Sequence, residues 1–329
     1  MASTEIISGS KNSQANIERL SQKAFDAFLY SNIGRKTIHA MVDRIYTHVP
    51  ERLFEWEGLG NIGKMHERRL EGEKVLTIVT HRSHADGAVT LALVDKVRSE
   101  FEGEFGETVY TVAGSMKTGE QGLFMKTLWD YGVEPFFNKR KVTPDFVVSD
   151  NDVAERHMKR PQDNGLYTKE AMKDPSKLSV VHIEGGTRGG KIDIKTGELN
   201  GLQRMDRGFN SVLINQIRNK IPTIILPVVI EGTENYFDPN KRSFSAGGMR
   251  SIIETLMLGE GTRLGALDDK LTKLLFGDSL HYKPGTVRIG ESQKLQDLSL
   301  SVKEMPNNVM RMFAKISSRK YLGEYGKSL

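Results

Sequence analysis

The chain has 329 residues, no cysteine and a formal net charge of +5. Its length suits one large domain, or one domain with an appendage. With 38% hydrophobic and 27% charged residues, it can build a core beneath a polar surface. The missing cysteine excludes disulfides, Cys-ligated zinc and cysteine nucleophiles. No run approaches the roughly 18 uninterrupted apolar residues of a membrane span. Residues 1–14 are polar and lack an apolar h-region, so no signal peptide is expected and the protein is most simply cytoplasmic. A pI near 9.1 favours anionic partners such as a phosphorylated substrate, an acidic carrier protein or anionic lipid. The basic residues are scattered and no nucleic-acid motif accompanies them, so no nucleic acid is expected.

Residues 13–49 read as helical. Ile17, Leu20, Ala24 and Phe28 share one face, and Ile38, Met41, Val42, Ile45 and Val49 make a second, with a break at 32–34. The expected organisation is an N-terminal helical hairpin segment over 1–55 and an α/β domain over 56–329. From Val75 onward strand and helix patterns alternate. Strands are expected at 75–80, 108–113, 179–183, 223–230 and 286–289, and helices at 87–98 and 117–131, the latter with Phe124 and Leu128 inward. This alternation predicts an α/β fold, with a mixed, largely parallel sheet flanked by helices.

Residues 141–177 are charged and interrupted by Pro144, Pro161 and Pro175, so a partly helical insertion over the site is expected. In 244–276, Leu264, Leu267, Leu271, Leu274 and Leu275 repeat at helical spacing behind Ile252, Ile253, Leu256, Met257 and Leu258. Core helices are the default there; a surface meeting a bilayer or an acyl chain is the minority reading.

The run 75–80 hands over to a helix through His81-Arg82-Ser83-His84-Ala85-Asp86. A strand-to-helix turn lies on the carboxyl edge of a sheet, where open α/β folds keep their sites. Across it the Asp86 carboxylate can reach back to the His81 imidazole, giving a general base with an orienting acid. Ser83 and Asp86 equally form a capping box, in which Asp86 merely closes the helix start. His84 reads as a structural turn residue.

Three further stretches bear on the choice. Residues 132–140 are a short apolar run ending in Lys139 and Arg140, either a solvated strand end or a phosphate clamp. Residues 179–191 are a strand running into a glycine-rich turn that carries Glu184, Arg188 and Lys191, where glycines would let the backbone approach a ligand. Gly185 to Lys191 fits most of a Walker A loop, but Ile192 replaces the required Ser/Thr and the next residues alternate like a strand, which argues against a nucleotide site. In 223–230, Pro227 inside an apolar run marks an edge strand or a bulge.

Together these stretches resemble, in order, the four sequence blocks of the glycerolipid acyltransferase superfamily. His81-x4-Asp86 matches the first block, and its His-Arg-Ser-x-x-Asp form is most like glycerol-3-phosphate acyltransferases. Gly132 through Arg140 resembles the second. Glu184-Gly185-Gly186-Thr187-Arg188 resembles the third, and Ile225-Leu226-Pro227-Val228 the proline-centred fourth. Residues 287–291 and the helical tail suit the family's closing strand and helix, so the resemblance covers about residues 70 to 325.

The resemblance implies acyl transfer from a thioester, acyl-CoA or acyl-carrier protein, to a hydroxyl of glycerol 3-phosphate, yielding lysophosphatidate, with no cofactor and no metal. It makes His81 the base and Asp86 its orienting acid. Lys139, Arg140 and the third block, Glu184, Gly185, Gly186, Thr187 and Arg188, become the phosphate and substrate site, and Pro227 and Val228 the acyl-donor region. Peripheral contact with a membrane follows from a lipid product. A lysophosphatidate acyltransferase of the same family is the near alternative. A metal-dependent hydrolase using His81, His84 and Asp86, or a non-catalytic lipid- or phosphate-binding protein, is the alternative of another class.

Overall fold

The computed structural model describes residues 54–83, 86–100, 107–112, 133–137, 173–184, 187–193, 195–235, 237–238, 243–244, 285–298, 301 and 303–327. These residues lie within one unit, Arg44–Leu329. In chain order they form β1 (Phe54–Glu57), α1 (Gly60–Leu70), β2 (Lys74–Val79), α2 (Asp86–Glu100), β3 (Glu107–Val112), β4 (Val133–Phe137), β5 (Lys177–His182), α3 (Arg207–Arg218) and β6 (Thr223–Glu231). There follow the short hairpin β7 (Phe237–Asp238) and β8 (Ser243–Phe244), then β9 (Gly285–Ile289), β10 (Gln293–Lys294), α4 (Leu295–Leu298) and α5 (Met305–Ile316).

The main sheet runs β1-β9-β6-β2-β5-β3-β4, with β10 added on β6. Its pairs β1–β9, β6–β2, β2–β5, β5–β3 and β3–β4 are parallel, whereas β9 and β10 meet β6 antiparallel. The fold is α/β, a mixed and largely parallel sheet flanked by helices. The five expected strands are present, with ends displaced by one or two residues, as fraying terminal residues allow.

Strand β2 lies between β5 and β6 and is buried along its whole length, which is why its sequence is a continuous rather than an alternating apolar run. Leu76 and Ile78 face one side with Val181 of β5 and Ile225 and Val229 of β6. Against them pack Phe209, Val212 and Leu213 of α3 and Val309, Met310 and Phe313 of α5, the i, i+3, i+4 stripes of two amphipathic helices. Burying each large side chain contributes about 1.5–3 kcal/mol. On the other side α1 packs against β2, β6 and α2.

Helix α3 was not foreseen although its signals are plain. Asp206 caps it, accepting from the amides of Gly208 at 2.8 Å and Phe209 at 3.2 Å. The four-residue β1 and the polar α1 also carried no expectation; β1 spans the boundary drawn at 55/56 and pairs with β9.

Pro227 corrects an expectation. It lies in an interior strand, opposite Ile78 of β2, and not at an edge. The other side of β6 is shared by two partners, β10 at Ile224 and Ile225 and β9 from Val228 onward. Pro227 falls in the interval between them, where no ladder bond needs its missing N–H, and its carbonyl accepts the Gly290 amide at 2.9 Å.

At the opposite end of β2, the buried Lys74 donates from Nζ to the carbonyls of Asp174, at 2.7 Å, and Lys177. Burial pushes its ammonium down to about 7. The hairpin segment over 13–49, the helix over 117–131, most of the 141–177 insertion and nearly all of 244–276 lie outside the described residues. No helix among the described residues is long and apolar enough to cross a membrane.

Candidate active site

The carboxyl end of β2 is pinned before the chain turns. The Thr80 amide donates to the Val228 carbonyl at 3.0 Å, and the Thr80 hydroxyl accepts the Ile230 amide at 2.9 Å, so a side chain extends the ladder toward β6. The Ile183 amide closes the β5 side on the Val79 carbonyl at 3.0 Å. His81 therefore leaves the sheet from a point held on both flanks.

Asp86 opens α2 and is fully buried. Its Oδ2 accepts three donors: His81 Nδ1 at 2.9 Å, the Ser83 amide at 3.0 Å and the Arg82 amide. The Ser83 contact is half of a capping box, and the His81 contact is the orienting bond. The two readings open in the sequence are one arrangement, because a single oxygen does both jobs. The buried Thr233 hydroxyl lies beside this carboxylate.

Burial alone would push the Asp86 carboxyl up. The hydrogen bond and charge of His81 outweigh it, with help from Thr233, and the carboxyl is held below its usual range. An ionised Asp86 only accepts, so His81 Nδ1 carries the proton toward it and Nε2 is the basic nitrogen. The His81 side chain is 17% exposed against 0% for Asp86, so a substrate can reach the base but not its partner.

The third block closes over the same loop. Glu184 is buried, and its Oε2 accepts the His81 amide at 3.2 Å while Oε1 accepts the Gln203 amide at 2.9 Å. Arg82 Nη1 lies 3.5 Å from Oε1, an ion pair with both side chains at 0% exposure. Glu184 thus holds the backbone of the base and neutralises Arg82. A Cβ at Gly190 would overlap the main chain of Arg82, and one at Gly189 would overlap its guanidinium. These two glycines admit the neighbouring loop of the protein itself, where the sequence had suggested room for a ligand.

The tail after α5 backs this arrangement. The Leu202 amide donates to the Tyr321 carbonyl at 2.8 Å, and the Arg82 guanidinium lies 5.6 Å from the centroid of the Tyr321 ring. The Tyr321 hydroxyl donates to Glu234 at 2.5 Å, and Ser318 donates to Glu231 from its amide at 2.7 Å and its hydroxyl at 2.8 Å.

His81 and Asp86 are the expected pair that the structure brings together, with Glu184 behind them. Pro227 and Val228 are buried within β6, and the carbonyl of Val228 anchors Thr80. Thr187 and Arg188 begin a 3-10 turn, Thr187–Gly190, that faces this loop. Lys139, Arg140, Gly185, Gly186 and His84 lie outside the described residues. Among the described residues no group of three or more His, Asp or Glu is placed to hold a metal ion.

Two residues of the site were not singled out in the sequence. Arg82 was visible as part of a triplet, with no sign that it is buried. His182 read as a strand residue; its ring stacks on His81, with centroids 4.2 Å apart and planes 30° apart.

No protein-family model and no curated protein matches this chain.

Proposed function

We propose that the protein is an acyltransferase that moves an acyl group from a thioester to a hydroxyl of glycerol 3-phosphate, giving lysophosphatidate for phospholipid synthesis. The observation that carries this reading is the partly exposed His81 bonded through Nδ1 to a buried, ionised Asp86 at the carboxyl edge of the sheet. The four-block resemblance supplies the substrate class.

A glycerol hydroxyl is too weak an acid to attack a thioester unaided at neutral pH. His81 Nε2 takes its proton as the oxygen bonds to the thioester carbonyl carbon. Asp86 keeps the imidazole in the required tautomer and stabilises its positive charge. The tetrahedral intermediate collapses, the C–S bond breaks, and the departing thiolate takes the proton from His81. Ester and free thiol are the products, and no acyl-enzyme is needed.

Lys139, Arg140 and Arg188 are the cations that would hold the phosphate, leaving the hydroxyl beside His81. The positive net charge favours an acidic acyl-carrier protein as donor over acyl-CoA. A cytoplasmic enzyme that releases its lipid product through peripheral membrane contact fits the same reading.

The test is transfer of a labelled acyl group from acyl-CoA and from acyl-carrier protein, offered glycerol 3-phosphate or lysophosphatidate, by wild type and His81→Ala. Transfer to glycerol 3-phosphate that is lost in a folded His81→Ala variant is the expected result. Transfer to lysophosphatidate alone keeps the mechanism and changes the acceptor. No transfer by a folded wild type to either acceptor refutes the proposal.

A further inference from the structure

We infer that His182 is a positioning residue for His81: its buried ring sets the plane of the base and presents a π face to the imidazolium that forms on proton transfer. The inference rests on His81 being the general base.

The two imidazoles come from adjacent strands. His182 ends β5 opposite Val79, two residues before His81 on β2, and both rings emerge on the same side of the sheet. The rings stack with centroids 4.2 Å apart, and His182 is 8% exposed. His182 Nδ1 lies 3.3 Å from the Thr80 carbonyl, so the strand that delivers His81 also orients the ring behind it.

His81 is therefore held along two directions. Asp86 Oδ2 takes Nδ1 in the plane of the ring, and His182 covers one face. An in-plane hydrogen bond leaves the ring able to rock about that bond, and a stacked neighbour removes that freedom. His182 is largely covered, so it acts through His81.

The neighbour must be neutral for this to help, since two imidazoliums in contact would repel. Burial, followed by the charge on His81, lowers His182 to about 3, so it is uncharged near neutral pH. A neutral aromatic face next to a forming cation is attractive. Among the described residues, the charged groups beside the pair include Asp86 at the start of α2 and the Arg82–Glu184 ion pair, which is itself balanced.

The test is a titration of ring-15N-labelled histidine in the full chain, with His81 assigned by its loss in His81→Gln. In the wild type, His182 is expected to remain one neutral tautomer from about pH 5.5 to 8, and His81 to carry its neutral-state proton on Nδ1. His182→Leu should lower the protonation constant of His81 by roughly three- to tenfold and mix its tautomers. His182→Phe, which keeps a flat neutral ring, should reverse most of both changes.

In acyl transfer, His182→Leu should lower kcat by about tenfold without raising KM for glycerol 3-phosphate, and His182→Phe should recover most of the loss. A wild-type His182 that titrates within that pH range overturns the inference. So does a folded His182→Leu whose His81 keeps its wild-type protonation constant and tautomer. Should the Leu variant not fold, the wild-type titration and the Phe variant decide. If the wild type transfers no acyl group, the functional reading fails, and the titrations still decide whether His182 positions His81.

Discussion

Asp86 caps a helix and orients a base through the same oxygen, and two substitutions separate these roles. Asp86→Ala removes the acceptor for the buried amides of Arg82 and Ser83 as well as for His81. Each buried amide left unmade costs about 1–3 kcal/mol, so the alanine variant should lose about 2–6 kcal/mol of stability. Asp86→Asn keeps an oxygen for those amides, and its new NH2 group takes the place of Oδ1, beside the buried Thr233 hydroxyl. Its cost should be about 1 kcal/mol, the charge assistance lost from the three bonds.

Catalysis should not follow that ranking. Either variant leaves the imidazolium without its counter-charge. Acyl transfer should fall by about 10²–10⁴-fold in both. Urea unfolding midpoints and initial rates at saturating substrate measure the two effects independently. An Asp86→Asn enzyme within about threefold of wild-type kcat would show that Asp86 only caps, and the mechanism would be wrong. The pH dependence adds a check. Asp86 has a depressed folded pKa, so its stabilisation is present above the unfolded carboxylate range and is lost as pH falls through the folded value. The stability gap between wild type and Asp86→Asn should therefore narrow in acid.

Lys74 should make stability rise with pH on the alkaline side. Its folded pKa of about 7 lies below its ordinary 10.5, so between these values the unfolded chain binds more protons and folding becomes more favourable as pH increases. Each unit in that window is worth about 1.4 kcal/mol. The unfolding free energy of wild type should rise relative to that of Lys74→Met by a few kcal/mol across it; parallel curves would rule this out. Arg82→Met leaves Glu184 buried without its cation and should cost about 3–5 kcal/mol. Adding Glu184→Gln removes the stranded charge and should restore about 1–2 kcal/mol; a double variant no more stable than the single one would contradict the ion-pair account.

Much of the sheet was legible because β2, β5 and β6 are buried on both faces and are rich in apolar, β-branched residues without strict alternation. The pairing of His81 with Asp86 was legible for the same reason, since a run that ends at a polar turn before a helix has its turn at the sheet edge. Short elements were not. The four residues of β1 carry two glutamates, and only pairing with β9 makes them a strand. Pro227 misled because the sequence does not show that β6 changes partner beside it. The glycines at 189 and 190 misled similarly: they announce a close approach, and only the fold reveals that the approaching chain is Arg82. His182 lay hidden because a histidine within a strand looks the same whether it meets solvent, core or another imidazole.

The wall that Tyr321 forms behind Arg82 has a consequence for how the protein is made. A ribosome that has delivered every residue from His81 to Asn235 has still not delivered Tyr321, whose ring faces the Arg82 guanidinium and whose hydroxyl bonds to Glu234. Until that residue emerges, the Arg82–Glu184 pair lacks this cover, and the loop that aims His81 rests on an unfinished support. The surroundings of His81 are thus completed late in translation, with the tail.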